Sequence, residues 1–170
     1  MHWVAAALLL FMIPGGLVID EFEKGPFRSG WIDFHRSLGL IVLVVAFVRV
    51  SWRIKEGFPP PLSNTPKWEQ VLKKGDHWLL LVASLFMPLS GIVMNVAGGR
   101  GLFFFGVELV ATSGVKVQPW ANLAGNGHSL GGDVILAGVV LHVIGLTRRA
   151  LRSKDGTLRR MFGLRVTPKA

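Results

Sequence analysis

The sequence predicts an all-α protein, an integral membrane four-helix bundle with both termini in the cytoplasm. Three observations carry that prediction. Apolar residues make up 51% of the 170 and charged residues only 17%, where a soluble domain carries about 25% charge. Four apolar runs stand out, each about 17–21 residues long and enough for roughly 30 Å of hydrocarbon. Basic residues gather in some of the connecting segments and avoid others. The composition excludes intrinsic disorder, which needs the opposite bias. Cysteine is absent, which excludes a disulfide framework, a thiolate metal site, an iron–sulfur cluster and a CxxCH haem attachment.

The runs follow in order within a single domain, 1–170, with no internal repeat. The first, residues 3–19, is uncharged. It lacks a basic leader, and no small-x-small cleavage site leads into a soluble domain, so it reads as a retained span rather than a signal peptide. The second, residues 34–54, is apolar apart from His35, Arg36, Ser37 and a basic end. The third, residues 78–97, is uncharged, and the fourth, residues 129–147, carries one acid, Asp133, and His142. Between the second and third runs, Pro59, Pro60 and Pro61 read as a stiff polyproline-like segment, and Lys67 to Leu72 as an interfacial helix turn. Residues 98–127 are rich in glycine and aromatics; Phe103, Phe104, Phe105 and Trp120 read as membrane-interface aromatics. Gly91, Gly131 and Gly138 read as helix-packing positions.

Charge sets the orientation. Arg49, Arg53, Lys55, Lys67, Lys73, Lys74 and eight basic residues of the tail face four acids on one side of the bilayer. Lys24, Arg28, Arg36, Arg100 and Lys116 face six acids on the other. The positive-inside rule places the first side, with both termini, in the cytoplasm. The basic excess is therefore a topology signal, and no nucleic-acid partner is expected.

The five histidines fall at matching depths. Ionisable residues inside membrane spans are costly and functional by default. His128 and His142 are fourteen residues apart, which is about 40° short of four full turns and about 21 Å along the axis. Both therefore project from one face, near opposite membrane surfaces. A mononuclear zinc site wants three or four converging ligands, more than two histidines per site supply; two axial histidines per site are what six-coordinate haem b needs. His35 lies at the outer depth and pairs with His128. At the inner depth both His2 and His77 stand opposite His142. Gly39 and Gly132 lie one turn after His35 and His128 and let a flat macrocycle approach. Ile135 and Val139 lie on the ligand face between the two sites and form an apolar spacer. Arg49 shares the His35 face at the inner end, where it suits a haem propionate. Asp133 lies about 140° from the ligand face, against a neighbouring helix or water, with a proton relay as the alternative.

Several strings, taken together and in order, resemble the bacterial cytochrome b561 family: the first His-Trp, FHRSLG and RVSWR in the second span, MPLSGIVM in the third, His128 with His142 in the fourth, and KDGTLRRM in the tail. The resemblance implies a four-helix inner-membrane protein holding two haem b groups between histidine pairs. It carries the family's ligands onto His2, His35, His128 and His142, paired His35/His128 and His2/His142, with His77 outside the set. It also implies electron transfer linked to quinone, with superoxide oxidised at the outer face and ubiquinone reduced in some members. Two features depart from the pattern. His2 stands one residue from the start, where relatives carry a lead-in of roughly a turn or more, so the inner haem is expected to be held less firmly than the outer. Arg148 and Arg149 stand near where many relatives carry a pair of histidines.

The expected function is thus that of a transmembrane b-type cytochrome in the bacterial inner membrane, its partners lipid, quinone and either superoxide or a redox protein. As an enzyme it would be a superoxide:ubiquinone or quinol oxidoreductase. A second reading is a haem-containing anchor that relays electrons for a soluble dehydrogenase or hydrogenase. A third is a haem-free transporter using histidine and Asp133 for protons or metal.

Overall fold

Four helices account for most of the chain: α1 (His2–Leu17), α2 (Pro26–Glu56), α3 (Lys67–Ala97) and α4 (Gln118–Ser153). The computed structural model describes residues 1–58, 66–153, 159 and 162–164. The polyproline-like segment at Pro59 to Pro61 and most of the basic tail lie outside those residues. All four helices are long and apolar enough to cross a membrane.

The local sequence explains the helix limits. Pro26 opens α2, at the position where its missing N–H would have had no partner in any case. Gly57, at φ +68°, ends α2 by donating its N–H to the Arg53 carbonyl at 2.9 Å. Lys67 to Leu72 do not form a separate interfacial turn; they are the first turns of α3 and run unbroken into the apolar stretch. No helix-breaking residue separates Leu72 from Trp78, and a lone Gly75 costs only about 1 kcal/mol in a helix interior. Similarly, α4 begins at Gln118, ten residues before His128.

Packing is tightest between α3 and α4, and α2 also packs on α3. Gly131 and Gly138 allow that approach: a Cβ on Gly131 would meet Met87 Sδ at 2.7 Å, and one on Gly138 would meet Leu80 Cδ2 at 3.1 Å. On the other side, Trp31 of α2 donates its indole N–H to the Gly15 carbonyl of α1 at 3.0 Å. The interior is lined largely by small residues, Ala5, Ala46, Ala83 and Ser84 among them, with Ile135 the most deeply buried large side chain at 1% exposure. Outward faces stay apolar, with Val44, Phe47, Leu141 and Val143 exposed, as lipid contact requires.

The two ends of the bundle differ. One carries the start of α1 and the end of α4, where Trp3 stacks on Phe162 at 4.7 Å; it is called the terminal end below. The other carries the α1–α2 turn and an antiparallel hairpin, β1 (Leu102–Phe104) with β2 (Val107–Val110). The hairpin is an addition to the expected all-helical pattern. Its two-residue turn, Phe105 at φ +46° and Gly106 at φ +87°, has the positive angles of a type I′ connection. The hairpin is pinned to α2: the Phe105 N–H donates to Ser37 Oγ at 2.9 Å, while that hydroxyl donates to the Asp33 carbonyl at 2.8 Å. Phe105 also meets Phe34 edge to face.

Candidate haem site

Helix α4 carries one histidine toward each end of the bundle. At the hairpin end, the His128 ring faces His35 of α2, their centroids 6.4 Å apart. At the terminal end, His142 faces His2 of α1 at 6.3 Å. Two imidazole nitrogens on opposite sides of one ion, at about 2.0 Å each, put the ring centroids about 6.3 Å apart. Both separations match that span. His77 approaches His142 to 5.3 Å in an edge-to-face contact, too close for an ion held in line between the two rings. His77 is turned onto its own helix, its Nδ1 2.6 Å from the Lys73 carbonyl.

Hydrogen bonds at Nδ1 orient the two α4 rings. His128 Nδ1 lies 3.0 Å from the Met87 carbonyl and 3.0 Å from Ser90 Oγ. A carbonyl can only accept, so Nδ1 carries the hydrogen. Ser90 gives its own hydroxyl hydrogen to Met87 O at 2.8 Å, which leaves its lone pairs to accept from His128. Pro88, next to Met87, has no N–H and interrupts the helix ladder at this level. His142 Nδ1 lies 2.8 Å from Asp76 Oδ2. In both rings Nε2 is left as the nitrogen available to a metal.

Glycines shape the hairpin-end pair. A Cβ on Gly16 would lie 3.1 Å from His35 Cε1, and one on Gly91 would lie 3.3 Å from His128 Cε1. Gly91 is therefore a wall of the His128 site rather than only a helix-packing residue. Gly39 and Gly132 behave differently: a Cβ on either would meet only a methionine methyl, Met12 or Met87, at 3.9 Å. Protein contacts alone leave room for a side chain at these two positions, so nothing in the chain itself demands glycine there.

Arg49 lines a cavity between α1, α2 and α3 together with Ala5, Leu8, Val42, Ala46 and Ser84. Among the described residues it has no hydrogen-bond or ion-pair partner, a setting that suits a carboxylate from a bound group. Ile135 is buried between the levels of the two histidine pairs, Val139 is half-buried, and Asp133 points outward and is exposed. The cations of the hairpin end do not stand apart from the acids. Arg28 pairs with Asp20, and Arg36 pairs with Asp33 at 3.0 Å.

The donor set fits a b-type haem. Imidazoles face each other in pairs at an iron-bridging distance, with Nδ1 already engaged on the α4 member and small residues around them. Sequence reasoning missed Gly16, Ser90 and Asp76. Asp76 lies 66 positions from His142, so no local pattern links the two. Ser90 carried a signal: with Gly91 it forms the SG pair on the α3 face one turn from Met87.

Two comparisons bear on this arrangement. A family model described as prokaryotic cytochrome b561 matches residues 1–164. The chain is also similar to cytochrome b561 homolog 2 of Escherichia coli K12, 24% identical over 166 residues that cover 95% of this chain and 87% of that protein.

Proposed function

Because the chain belongs to the prokaryotic cytochrome b561 family, and so is a multi-pass bacterial membrane cytochrome that carries b-type haem for electron transfer, we propose that it holds two haem b groups and passes electrons between the membrane surfaces to the quinone pool. The observation that carries this reading is the pair of facing imidazoles at each end, 6.4 Å and 6.3 Å between centroids. His35 and His128 hold the hairpin-end haem, and His2 and His142 hold the terminal-end haem.

When bound, haem supplies one-electron exchange at its iron. The chain's own residues do the rest. Two histidines committed to each haem would disfavour direct dioxygen binding, which favours relay over oxygenase chemistry. Met87, Ser90 and Asp76 fix the ring orientation of the α4 ligands. Arg49 offers a fork of N–H donors to the propionates of the terminal-end haem. Gly39 and Gly132 leave the macrocycle room beside its ligands, and Ile135 with Val139 keeps the space between the levels apolar. The excess of Lys and Arg in the segment between α2 and α3 and in the tail sequence supports a cytoplasmic terminal end and an inner-membrane location.

Ubiquinone is the acceptor that the resemblance favours. Superoxide as donor draws on Arg28, Arg36, Arg100 and Lys116, but two of these four are already paired with carboxylates, which weakens a positive funnel at the hairpin end.

The test is a reduced-minus-oxidised spectrum of the purified protein with a haem-to-protein ratio. The expected result is b-type bands and two acid–acetone-extractable haems per chain. A ratio of zero from haem-replete cells, or haem that stays on the protein after extraction, overturns the reading. A stoichiometric soluble redox subunit that copurifies would make the protein an anchor for that subunit.

A further inference from the structure

The two α4 histidines are held by oxygens of different charge. At the hairpin end the partners of His128 Nδ1 are neutral, the Met87 carbonyl and the Ser90 hydroxyl. At the terminal end the partner of His142 Nδ1 is the carboxylate of Asp76, at 2.8 Å. A carboxylate accepts and does not donate, so the hydrogen sits on Nδ1 and Nε2 is left as the nitrogen available to a metal. The contact is largely sheltered, the two side chains being 22% and 19% exposed. The other oxygen, Asp76 Oδ1, is buried and has no hydrogen-bond partner among the described residues. The negative charge is therefore not spread over further donors, and in a low-dielectric setting it acts strongly on the ring.

A carboxylate behind a ligating imidazole makes that ligand more basic. A more basic axial ligand stabilises the oxidised, more positively charged iron over the reduced one. We propose that Asp76 is a positioning residue that lowers the midpoint potential of the terminal-end haem, making that haem a stronger reductant toward a quinone than a neutral partner for His142 would. This rests on the bis-histidine assignment above and deepens it: the neutral Met87–Ser90 pair at the hairpin end is the internal reference.

The experiment is a potentiometric titration of the purified protein with visible spectra, comparing parent, Asp76→Asn, Asp76→Glu and Ser90→Ala. A His142→Ala sample, retaining one haem, supplies the spectrum of the hairpin-end haem alone. In Asp76→Asn, the reduced-to-oxidised ratio of the terminal-end haem at a fixed potential should rise about tenfold, a shift of about 59 mV for one electron. Asp76→Glu keeps the charge and should stay within about threefold of the parent, and Ser90→Ala should leave the terminal-end haem within the same limit. Loss of the terminal-end haem in Asp76→Asn with retention in Asp76→Glu also supports the proposal, because Asp76→Glu keeps the charge that the near-isosteric Asp76→Asn removes. An unchanged potential in Asp76→Asn, or equal shifts or equal haem loss in Asp76→Asn and Asp76→Glu, overturns it. Two haems retained in His142→Ala would instead overturn the ligand assignment on which it rests.

Discussion

At the hairpin end, His128 is bonded to a helix carbonyl and a serine hydroxyl, Gly91 walls its ring, and Gly16 leaves the space that its partner His35 occupies. At the terminal end, His142 is bonded to a carboxylate, and two further histidines, His2 and His77, crowd its ring. The first site is built by backbone approach: helices brought close by glycine leave one place for each ring. The second is built by charge and by choice among neighbours. The difference teaches that a shared ligand chemistry on one helix face does not imply a shared support. The hairpin-end site is expected to answer to changes of shape, the terminal-end site to changes of charge and partner.

The largest effects come from the ligands. His35→Ala and His128→Ala should each remove the same haem, and His142→Ala the other, leaving half of the parent haem in every case by pyridine haemochrome assay. Different residual spectra for His35→Ala and His128→Ala would break the pairing.

Next in size is the contest around His142. His2→Ala should lose the terminal-end haem, while His77→Ala keeps both, because His2 stands at the iron-bridging distance and His77 does not. The reverse result would hand the site to His77 and make the terminal end the reverse of what its geometry supports.

Glycine substitutions sharpen the comparison further. Gly16→Ala puts a Cβ 3.1 Å from the His35 ring, so it should destabilise the hairpin-end site by about 1–3 kcal/mol through overpacking. The check is selective loss of the hairpin-end haem on mild heating. Gly39→Ala and Gly132→Ala meet only a methionine methyl at 3.9 Å. They should leave the helical content of the protein unchanged and weaken haem retention alone. Equal loss of fold and haem would mean that these glycines serve helix packing instead.

The smallest effect is expected at Arg36. Its guanidinium is already paired with Asp33, so Arg36→Gln should slow superoxide-driven haem reduction by no more than about twofold at low salt and less at high salt. A larger fall in stopped flow would show an anion path at the hairpin end in spite of the ion pairs.

What was legible in the sequence was what repeats locally. Four apolar runs of span length announced four helices, and the fourteen-residue spacing from His128 to His142 put both on one face, since a helix turns by a constant angle per residue. Gly39 and Gly132 followed from the same arithmetic. The hairpin was not legible: GGRGLFFFG reads as a glycine-rich loop until Phe105 and Gly106 take positive φ and Ser37, far back in the chain, accepts the Phe105 N–H. The continuity of α3 from Lys67 was missed because charge in its first turns masked a helix that nothing in the sequence interrupts.

The sequence by itself therefore determined the number of helices, their apolar outer faces, and which histidines share a depth, because chain length and helical period are properties of consecutive residues. Only the tertiary structure decided which ring stands opposite His142, that Gly16 and Gly91 wall the hairpin-end pair, and that Asp76 rather than a neutral group holds His142. Those relations join residues on different helices. They depend on how α1, α3 and α4 are turned about their axes, and that rotation is set by the summed packing of all the faces rather than by any one segment.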